Sequence, residues 1–184
     1  MKVYSRTIGQ IIVTLFMAVA MMILNGCILE VIQPDTVEAG QPFEVLIKID
    51  PEITGTYPIY IGILSPSDWQ VIGSPIYTDG LTGTFTYSPT TIASLESEFG
   101  TLTGTTWWVG VGPSIPVTGG LTVTIQANLQ SSIVASGVYS LAYVDGIYTD
   151  TLTWHQFPTV YPITVTASST ALSGTLQYLP IIFK

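Results

Sequence analysis

The sequence predicts an all-β domain, an antiparallel sandwich or barrel, behind an N-terminal export segment. Apolar and polar residues alternate with a period of two in several stretches, as they do in strands that bury one face. The chain has 17 glycines and 12 prolines, and they separate these stretches at short, fairly regular spacing, which is typical of β-sandwiches and barrels. No stretch alternates strands with long helices, so a parallel α/β sheet is not expected.

The first 26 residues have the plan of a secretory signal peptide. Lys2 and Arg6 form a short basic start, and residues 11–24 are apolar except for Thr14. A membrane-spanning helix needs about 20 apolar residues, so this run is short for a span and fits a leader that is cleaved. We therefore predict a signal peptide over residues 1–26, with a retained anchor as the alternative.

The single cysteine of the chain directly follows this run. Leu24, Asn25, Gly26 and Cys27 resemble the lipobox of bacterial lipoprotein signal peptides, with Asn25 in place of the usual small or β-branched residue. The resemblance implies that the first three are recognition positions and that Cys27 becomes an acylated N-terminus. Acyl chains hold a protein on a membrane at about 0.8 kcal/mol per buried methylene. An exported protein, membrane-anchored at the bacterial cell envelope, is therefore expected, with a plain signal peptide as the alternative.

Three stretches show the alternation most clearly. Residues 42–50, 121–129 and 161–167 each place apolar side chains on one face, so each is predicted to be a strand. The predicted buried faces consist of Phe43, Val45, Ile47, Ile49, Leu121, Val123, Ile125, Ala127, Leu129, Tyr161, Ile163, Val165 and Ala167. Residues 57–64 and 83–88 are predicted to be further strands.

The remaining stretches predict one hairpin and one short helix. Residues 137–154 are expected to form the hairpin, because Asp145-Gly146 tolerates the positive φ angles of a tight turn. Only residues 90–99 lack strand character, and a helical turn or two is expected there, with Ser94 as a weak start signal.

Two segments resemble bacterial extracellular immunoglobulin-like domains. Residues 32–50 (IQPDTVEAGQPFEVLIKID) are similar to their Pro-containing edge strand, Ala-Gly-Gln turn and alternating second strand. Gly137 and Tyr139 resemble their late Gly-x-Tyr strand. The resemblance implies an immunoglobulin-like antiparallel β-sandwich over residues 27–167, of the kind without a disulfide, since the chain has one cysteine. A shared fold implies no activity.

Residues 168–184 differ from the domain before them. A Ser/Thr-rich linker leads to the apolar sequence YLPIIFK at 178–184, which resembles the ending of some bacterial exported proteins. It lacks the LPxTG pattern that sortase anchoring needs. A last strand, or a clasp against the sandwich, is the alternative interpretation of this tail.

Charge and composition exclude several classes of function. All 12 acidic residues lie after the leader, against only Lys48 and Lys184, so nucleic acid is not expected as a partner. One histidine and one cysteine cannot make a closed zinc site. No calcium-loop pattern is present, and the two Asp-Gly pairs, at 79–80 and 145–146, are predicted to be turns. No cofactor or metal is predicted, although calcium bound by acids and loop carbonyls stays open.

Catalytic signals are sparse. His155 is the only candidate for Ser-His-Asp chemistry, and no Gly-x-Ser-x-Gly motif supports it, so it is expected to be structural. Glu96 and Glu98 are the closest pair of acids that a glycosidase could use, but they are expected to be solvated. No catalytic residue is predicted.

The adjacent tryptophans of TTWWVGVG are the most informative local feature. Adjacent strand residues point to opposite faces, so Trp107, which alternates with valines, is predicted to be buried. Trp108 alternates with Gly110 and Gly112, and its ring either packs over those glycines or forms a platform for a sugar or a partner. Trp69 is expected to close one end of the core.

The predicted function is that of a non-catalytic, lipid-anchored protein of the cell envelope, active in adhesion, assembly or ligand binding. The expected partners are the membrane, through the lipid anchor, and an envelope protein or glycan, with Trp108 as a possible contact. The alternative is a carbohydrate-active enzyme, or a carbohydrate-binding module, that uses surface aromatic residues and carboxylates.

Overall fold

The computed structural model describes residues 28–51 and 53–168, apart from the side chains of Leu29 and residues 156–159. These ranges contain ten strands and one helix. The strands are β1 Ile28–Ile32, β2 Thr36–Glu38, β3 Pro42–Ile49, β4 Gly55–Pro66, β5 Gln70–Tyr77, β6 Thr86–Tyr87, β7 Thr105–Val117, β8 Val123–Gln130, β9 Gly137–Tyr148 and β10 Leu152–Thr166. The helix, α1, is Pro89–Phe99.

The strands form two sheets that pack face to face. The smaller sheet has the order β1-β3-β8-β5, and the larger sheet has the order β2-β10-β9-β4-β7-β6. The pairs are antiparallel except for β2 and β10, which run parallel. The chain therefore forms the antiparallel sandwich that the sequence predicts, and not a barrel.

The first two strands connect the sheets. β1 pairs with β3 in the smaller sheet, and β2 pairs with β10 in the larger sheet. Between them, Gln33 Nε2 donates a hydrogen bond to the Pro162 carbonyl at 3.2 Å, and Gln33 Oε1 accepts one from the Tyr143 hydroxyl at 2.7 Å. One continuous segment thus binds both sheets along one side of the sandwich.

The chain enters the sandwich at one end and leaves it at the other. Ile28, the first residue of β1, pairs with Ile49 at the end of β3. Val165, near the end of β10, pairs with Gly137 at the start of β9. We call the end near Ile28 the proximal end and the end near Val165 the distal end.

The core between the sheets is built from the predicted buried faces. Each fully buried aliphatic side chain contributes roughly 1.5–3 kcal/mol relative to exposure. The predicted residues that are buried are Phe43, Val45, Ile47, Ile49, Val123, Ile125, Ala127, Leu129, Ile163 and Val165. The prediction from period-two alternation is therefore confirmed for these core residues.

Two residues at the limits of the predicted strands differ from the prediction. Leu121 is exposed, because it lies before β8 in a turn where its N–H donates to the Thr118 carbonyl at 3.0 Å. Ala167 follows the end of β10 and is exposed, and Tyr161 is half-buried. The predicted faces are wrong for Leu121 and Ala167, since alternation does not show where a strand begins or ends.

A second, smaller core lies on the outer face of the larger sheet, under α1. Leu95 of the helix is fully buried there. It belongs to a cluster with Leu64, Trp107, Val109, Ala142, Val144 and Trp154. The helix therefore covers apolar side chains that a sandwich with one core would leave in water.

The helix begins earlier than predicted. It follows Ser88 and has Pro89 in its first turn, where the fixed φ of proline and its missing N–H suit a helix start. Ser94 lies exposed in the middle of the helix. The expected start signal at Ser94 is therefore wrong, and the helix spans 11 residues instead of a turn or two.

The predicted turn at Asp145-Gly146 is also wrong. Both residues lie inside β9, and the connection to β10 falls at 149–151. Asp145 opposes His155 on β10, and a Cβ atom on Gly146 would lie 2.8 Å from Cε3 of the Trp154 ring. Contacts between the strands thus override the local turn preference of the dipeptide.

The leader and the tail lie outside the described residues. This applies to Leu24, Asn25, Gly26 and Cys27, and to the apolar sequence at 178–184. The domain limits at residues 27 and 167 also stay predictions. Among the described residues, no helix has the length and apolar character that crossing a membrane requires.

Candidate functional site

The adjacent tryptophans lie on opposite faces of β7. Trp107 is buried on the outer face of the larger sheet, and its Nε1 donates a hydrogen bond to the Gly100 carbonyl at 2.8 Å. Trp108 is half-buried and packs against the core between the sheets. β7 lies next to β6, which is the edge strand of the larger sheet. Trp107 is therefore a structural residue, whereas Trp108 reaches solvent near the sheet edge.

The glycines of β7 make room for aromatic rings. A Cβ atom on Gly110 would collide with Cη2 and Cζ3 of Trp108, so the Trp108 ring lies over Gly110. A Cβ atom on Gly112 would collide with Tyr77 instead. The Trp108 ring thus covers one of the two glycines that alternate with it, which fixes the position of the ring on the sheet.

Tyr87 extends this surface toward solvent. Its ring stacks on Trp108 with the ring centroids 6.0 Å apart and the planes at 28°, a favourable offset arrangement. Tyr87 pairs with Gly110 across β6 and β7, which places its side chain on the same face as Trp108. Half of its surface (50%) is exposed. We call Tyr87 and Trp108 the aromatic pair.

The sequence analysis missed Tyr87. The available signal is its spacing, because Phe85 and Tyr87 share one face of the predicted strand at 83–88. Phe85 is fully buried, whereas Tyr87 is exposed. Alternation places both rings on one face but does not show that the second lies at the sheet edge.

The sheet edge around the aromatic pair is uncharged. β5, β6 and β7 contain no acidic or basic residue. Beside β6, β5 has a bulge at 73–75 that leaves Ser74 exposed. The Phe85 N–H donates to the Pro75 carbonyl at 2.7 Å and joins this bulge to the segment before β6. The edge thus offers aromatic faces next to hydroxyl and backbone polar groups.

Asp145 and His155 form a buried pair that the sequence does not predict. They oppose each other on β9 and β10, and Asp145 Oδ2 lies 3.2 Å from His155 Nδ1. The Asp145 side chain has no exposed surface, and the His155 side chain is 22% exposed. A carboxylate at Nδ1 fixes the orientation of an imidazole ring.

The surroundings of this pair favour a structural role. Asp145 pairs with Ile61 on β4, and its neighbours on the same face of β9 are Tyr143 and Ile147, all buried. Burial raises the pKa of the Tyr143 hydroxyl, which therefore stays protonated. The structural role of His155 stays a prediction, and its contact with the buried Asp145 is in keeping with it.

The other candidate acids are exposed to solvent. Glu96 and Glu98 are exposed on α1, and Glu96 Oε1 accepts a hydrogen bond from Thr101 Oγ1 at 3.2 Å. Asp79 and Gly80 have φ angles of 60° and 86°, in keeping with the predicted turn. Within the part of the chain that the structure describes, no group of three or more His, Cys, Asp or Glu could hold a metal ion.

Trp69 closes the distal end of the core, as predicted. It is buried between β4 and β5. Its ring meets Phe43 edge-on at 6.0 Å and Tyr139 at 5.3 Å. Trp69 is therefore packed on its neighbours and offers no surface to a ligand.

No family model and no curated protein matches the sequence. Solved structures, in contrast, are similar in fold. A cohesin module from a family 33 glycoside hydrolase of Clostridium perfringens has 10% identity and a TM-score of 0.50, over 78% of this chain and 99% of that one. With the two sheets described above, this likeness confirms the predicted immunoglobulin-like β-sandwich.

Two bacterial proteins with lower TM-scores are also similar. The major pilin subunit of Bacillus cereus has 12% identity and a TM-score of 0.45, over 76% of this chain and 40% of that one. A collagen-binding domain from a Staphylococcus aureus adhesin has 10% identity and a TM-score of 0.38, over 73% and 96%. Likenesses at such identities imply no function for this chain.

Proposed function

We propose that the protein is a non-catalytic binding module of the bacterial cell envelope, exported and held on a membrane by lipid on Cys27. It contacts a glycan or an envelope protein through the aromatic pair, Tyr87 and Trp108. The observation that carries this proposal is the stack of two rings, one of them half exposed, on an uncharged sheet edge.

The aromatic pair has the properties of a binding anchor. Tyrosine and tryptophan dominate binding energies in interfaces because each presents a large area with few rotatable bonds. Trp108 is held over Gly110 and against Tyr87, so little ordering remains to be done when a ligand arrives, which favours affinity. The C–H faces of a neutral sugar would pack on such rings, and its hydroxyls would bond to groups such as Ser74.

The pair of acids that the sequence offers to a glycosidase, Glu96 and Glu98, favours binding over the alternative of a carbohydrate-active enzyme. A glycosidase needs two carboxyl groups about 5 to 10 Å apart on either side of the scissile bond. Glu96 and Glu98 are exposed on α1, which covers the outer face of the larger sheet, and Asp145 is fully buried. If the protein is instead a carbohydrate-binding module, the other alternative, it would bind its glycan through the same aromatic pair.

The position of the proposed anchor would set the orientation of the domain on the membrane. Cys27 directly precedes Ile28, with which β1 begins at the proximal end. A lipid on Cys27 would therefore hold the proximal end close to the membrane, without a spacer. The aromatic pair lies on the side of the sandwich, at the opposite edge of the larger sheet from β2, where a partner could approach parallel to the membrane.

The test is a binding screen of the full chain against envelope glycans and envelope proteins. Tyr87→Ala and Trp108→Ala should each weaken the binding that is found by about 1–3 kcal/mol. Tyr148→Ala is the matched control, because Tyr148 is an exposed tyrosine at the proximal end, and it should leave binding unchanged. Binding that survives both aromatic variants would contradict the proposed site, and cleavage of a bound glycan would contradict the non-catalytic role.

A further inference from the structure

A turn at the distal end exposes two aliphatic side chains. The loop between β8 and β9 turns at 132–135, where the Ala135 N–H donates to the Ser132 carbonyl at 3.1 Å. The central residues, Ile133 and Val134, are 73% and 82% exposed. Turns favour Gly, Pro, Asn, Asp and Ser at such positions. Ile133 and Val134 are apolar and remain in water, so they forgo the free energy that burial would provide. We call these two adjacent, exposed apolar residues the distal tip.

The distal tip is held in place by the turn between β2 and β3. The Gly40 N–H donates to Ser131 Oγ at 3.1 Å, and Gln130 Nε2 donates to the Gly40 carbonyl. Gly40 has a φ angle of 75°, and a Cβ atom there would lie 2.7 Å from Cγ2 of Ile133. A glycine is needed at this position both for its backbone conformation and for the close approach of Ile133. The distal tip is therefore a preformed surface.

A polar cavity opens beside the distal tip. Its volume is about 180 Å³, and Ile133 is its one apolar lining residue. The carboxyl group of Asp68, an exposed residue, contributes negative charge to it. The remaining lining residues are Gln70, Gln130, Ser131 and Ser132. The distal end thus presents an apolar ridge next to an acidic cavity.

The chain leaves the sandwich next to this surface. The Ala39 N–H donates to the Thr166 carbonyl at 2.9 Å, and Ser168 Oγ donates to Glu38 Oε1 at 2.9 Å. Glu38 and Ala39 directly precede the glycine over which Ile133 lies. The chain that follows Ser168 therefore starts beside the distal tip.

We propose that residues 178–184, YLPIIFK, dock on the distal tip of their own chain. The apolar side chains of this segment would cover Ile133 and Val134, and Lys184 would lie near Asp68. Two properties of the segment favour this occupant. Five of its seven residues are Tyr, Leu, Ile or Phe, and its one charged side chain is basic, opposite in sign to the Asp68 carboxyl group at the cavity.

The connecting segment is long enough for this contact. Residues 169–177 join Ser168 to Tyr178, and an extended chain of this length spans up to about 33 Å. The distal tip lies close to Ser168, so the segment can return without strain.

The test measures amide hydrogen exchange at residues 181–184 in the full chain, reconstituted in lipid nanodiscs. In the wild type, these amides should exchange at least about tenfold more slowly than in Val134→Asp. Tenfold dilution of the wild-type protein should leave its exchange rate unchanged. Val134 is so exposed that the variant should fold normally. Val160→Asp, which changes an exposed valine on the larger sheet, is the control and should leave the protection unchanged.

Each other result would overturn the proposal. Wild-type amides that exchange as fast as those of an unstructured peptide would show that the segment does not dock. Protection that persists in Val134→Asp would place the segment elsewhere, for example in the bilayer. Protection that falls on dilution would show that the segment binds a second copy of the chain.

Discussion

Asp145 Oδ2 lies 3.2 Å from His155 Nδ1 across the β9–β10 pair, and the carboxyl group is fully buried between the sheets. A buried charge is costly unless it is paired. Immediately after His155, β10 bulges until Thr159. The Asp145–His155 pair therefore fixes the register of the proximal part of the hairpin, before the bulge interrupts it.

Loss of the imidazole should destabilise the fold. His155→Ala removes the ring that faces the buried Asp145 carboxylate, and the free energy of unfolding should fall by about 3 kcal/mol, the low end for a broken buried pair. Thr153→Ala, at an exposed position on the same strand, should cost less than about 1 kcal/mol. Urea denaturation measures both. The double variant Asp145→Asn/His155→Ala should recover part of the loss, and a His155→Ala protein as stable as the wild type would rule out a role for the pair.

The two tryptophans should differ in their contribution to stability. Trp107→Ala should cost about 3 to 5 kcal/mol, because it leaves a cavity under α1 and removes the hydrogen bond to Gly100. Trp108→Ala should cost only about 1 to 2 kcal/mol, because its ring is half-buried and the main losses are its contacts with Gly110 and Tyr87. Denaturation curves give the costs, and iodide quenching of fluorescence gives the exposure. Equal costs would make Trp108 a core residue and remove it from the proposed site.

The face assigned to β8 can be checked at its first residue. Val123 is buried at the start of the strand, and Thr122 before it is exposed. Val123→Asp would bury an unpaired charge and should cost several kcal/mol, whereas Thr122→Asp should cost less than about 1 kcal/mol. The two variants are compared by urea denaturation, and similar losses would show that the assigned face is wrong.

Lipidation predicts a simple labelling result. When the protein is expressed in bacteria, labelled fatty acid should enter the wild type and should be absent from Cys27→Ser, because Cys27 is the only cysteine in the chain. The measurement is the label in the purified protein. Label that persists in the variant would exclude Cys27 as the acylated residue.

The core between the sheets could be predicted because burial on one face of a strand is a local signal. In β3, every second residue from Phe43 to Ile49 is buried, and the alternation of the sequence shows this without knowledge of any partner strand. Trp107 follows the same logic. Its burial is predicted correctly, although α1 and not the opposite sheet covers it.

The candidate sites depend on pairing between distant segments, which alternation does not contain. Asp145 and His155 face each other across the β9–β10 pair, whose connection follows Tyr148. The turn preference of Asp145-Gly146 predicts the connection at Asp145 itself, so the sequence does not show that Asp145 lies within β9. Tyr87 becomes part of a site only because β6 is paired beside Gly110. Tertiary pairing thus decides which polar and aromatic residues come together, and local propensity decides only the faces.

The connection between β1, in the smaller sheet, and β2, in the larger sheet, determines how a pulling force on the N-terminal end is distributed. Hydrogen bonds of an antiparallel pair lie perpendicular to the strands, so a pull on the chain before Ile28, directed away from the proximal end, loads the whole β1–β3 ladder in shear. The bonds then resist together instead of opening one after another. Gln33, bonded to Pro162 and Tyr143, passes the tension into the larger sheet. A tether at this end would therefore pull on both sheets at once, and the sandwich would resist detachment as a single mechanical unit.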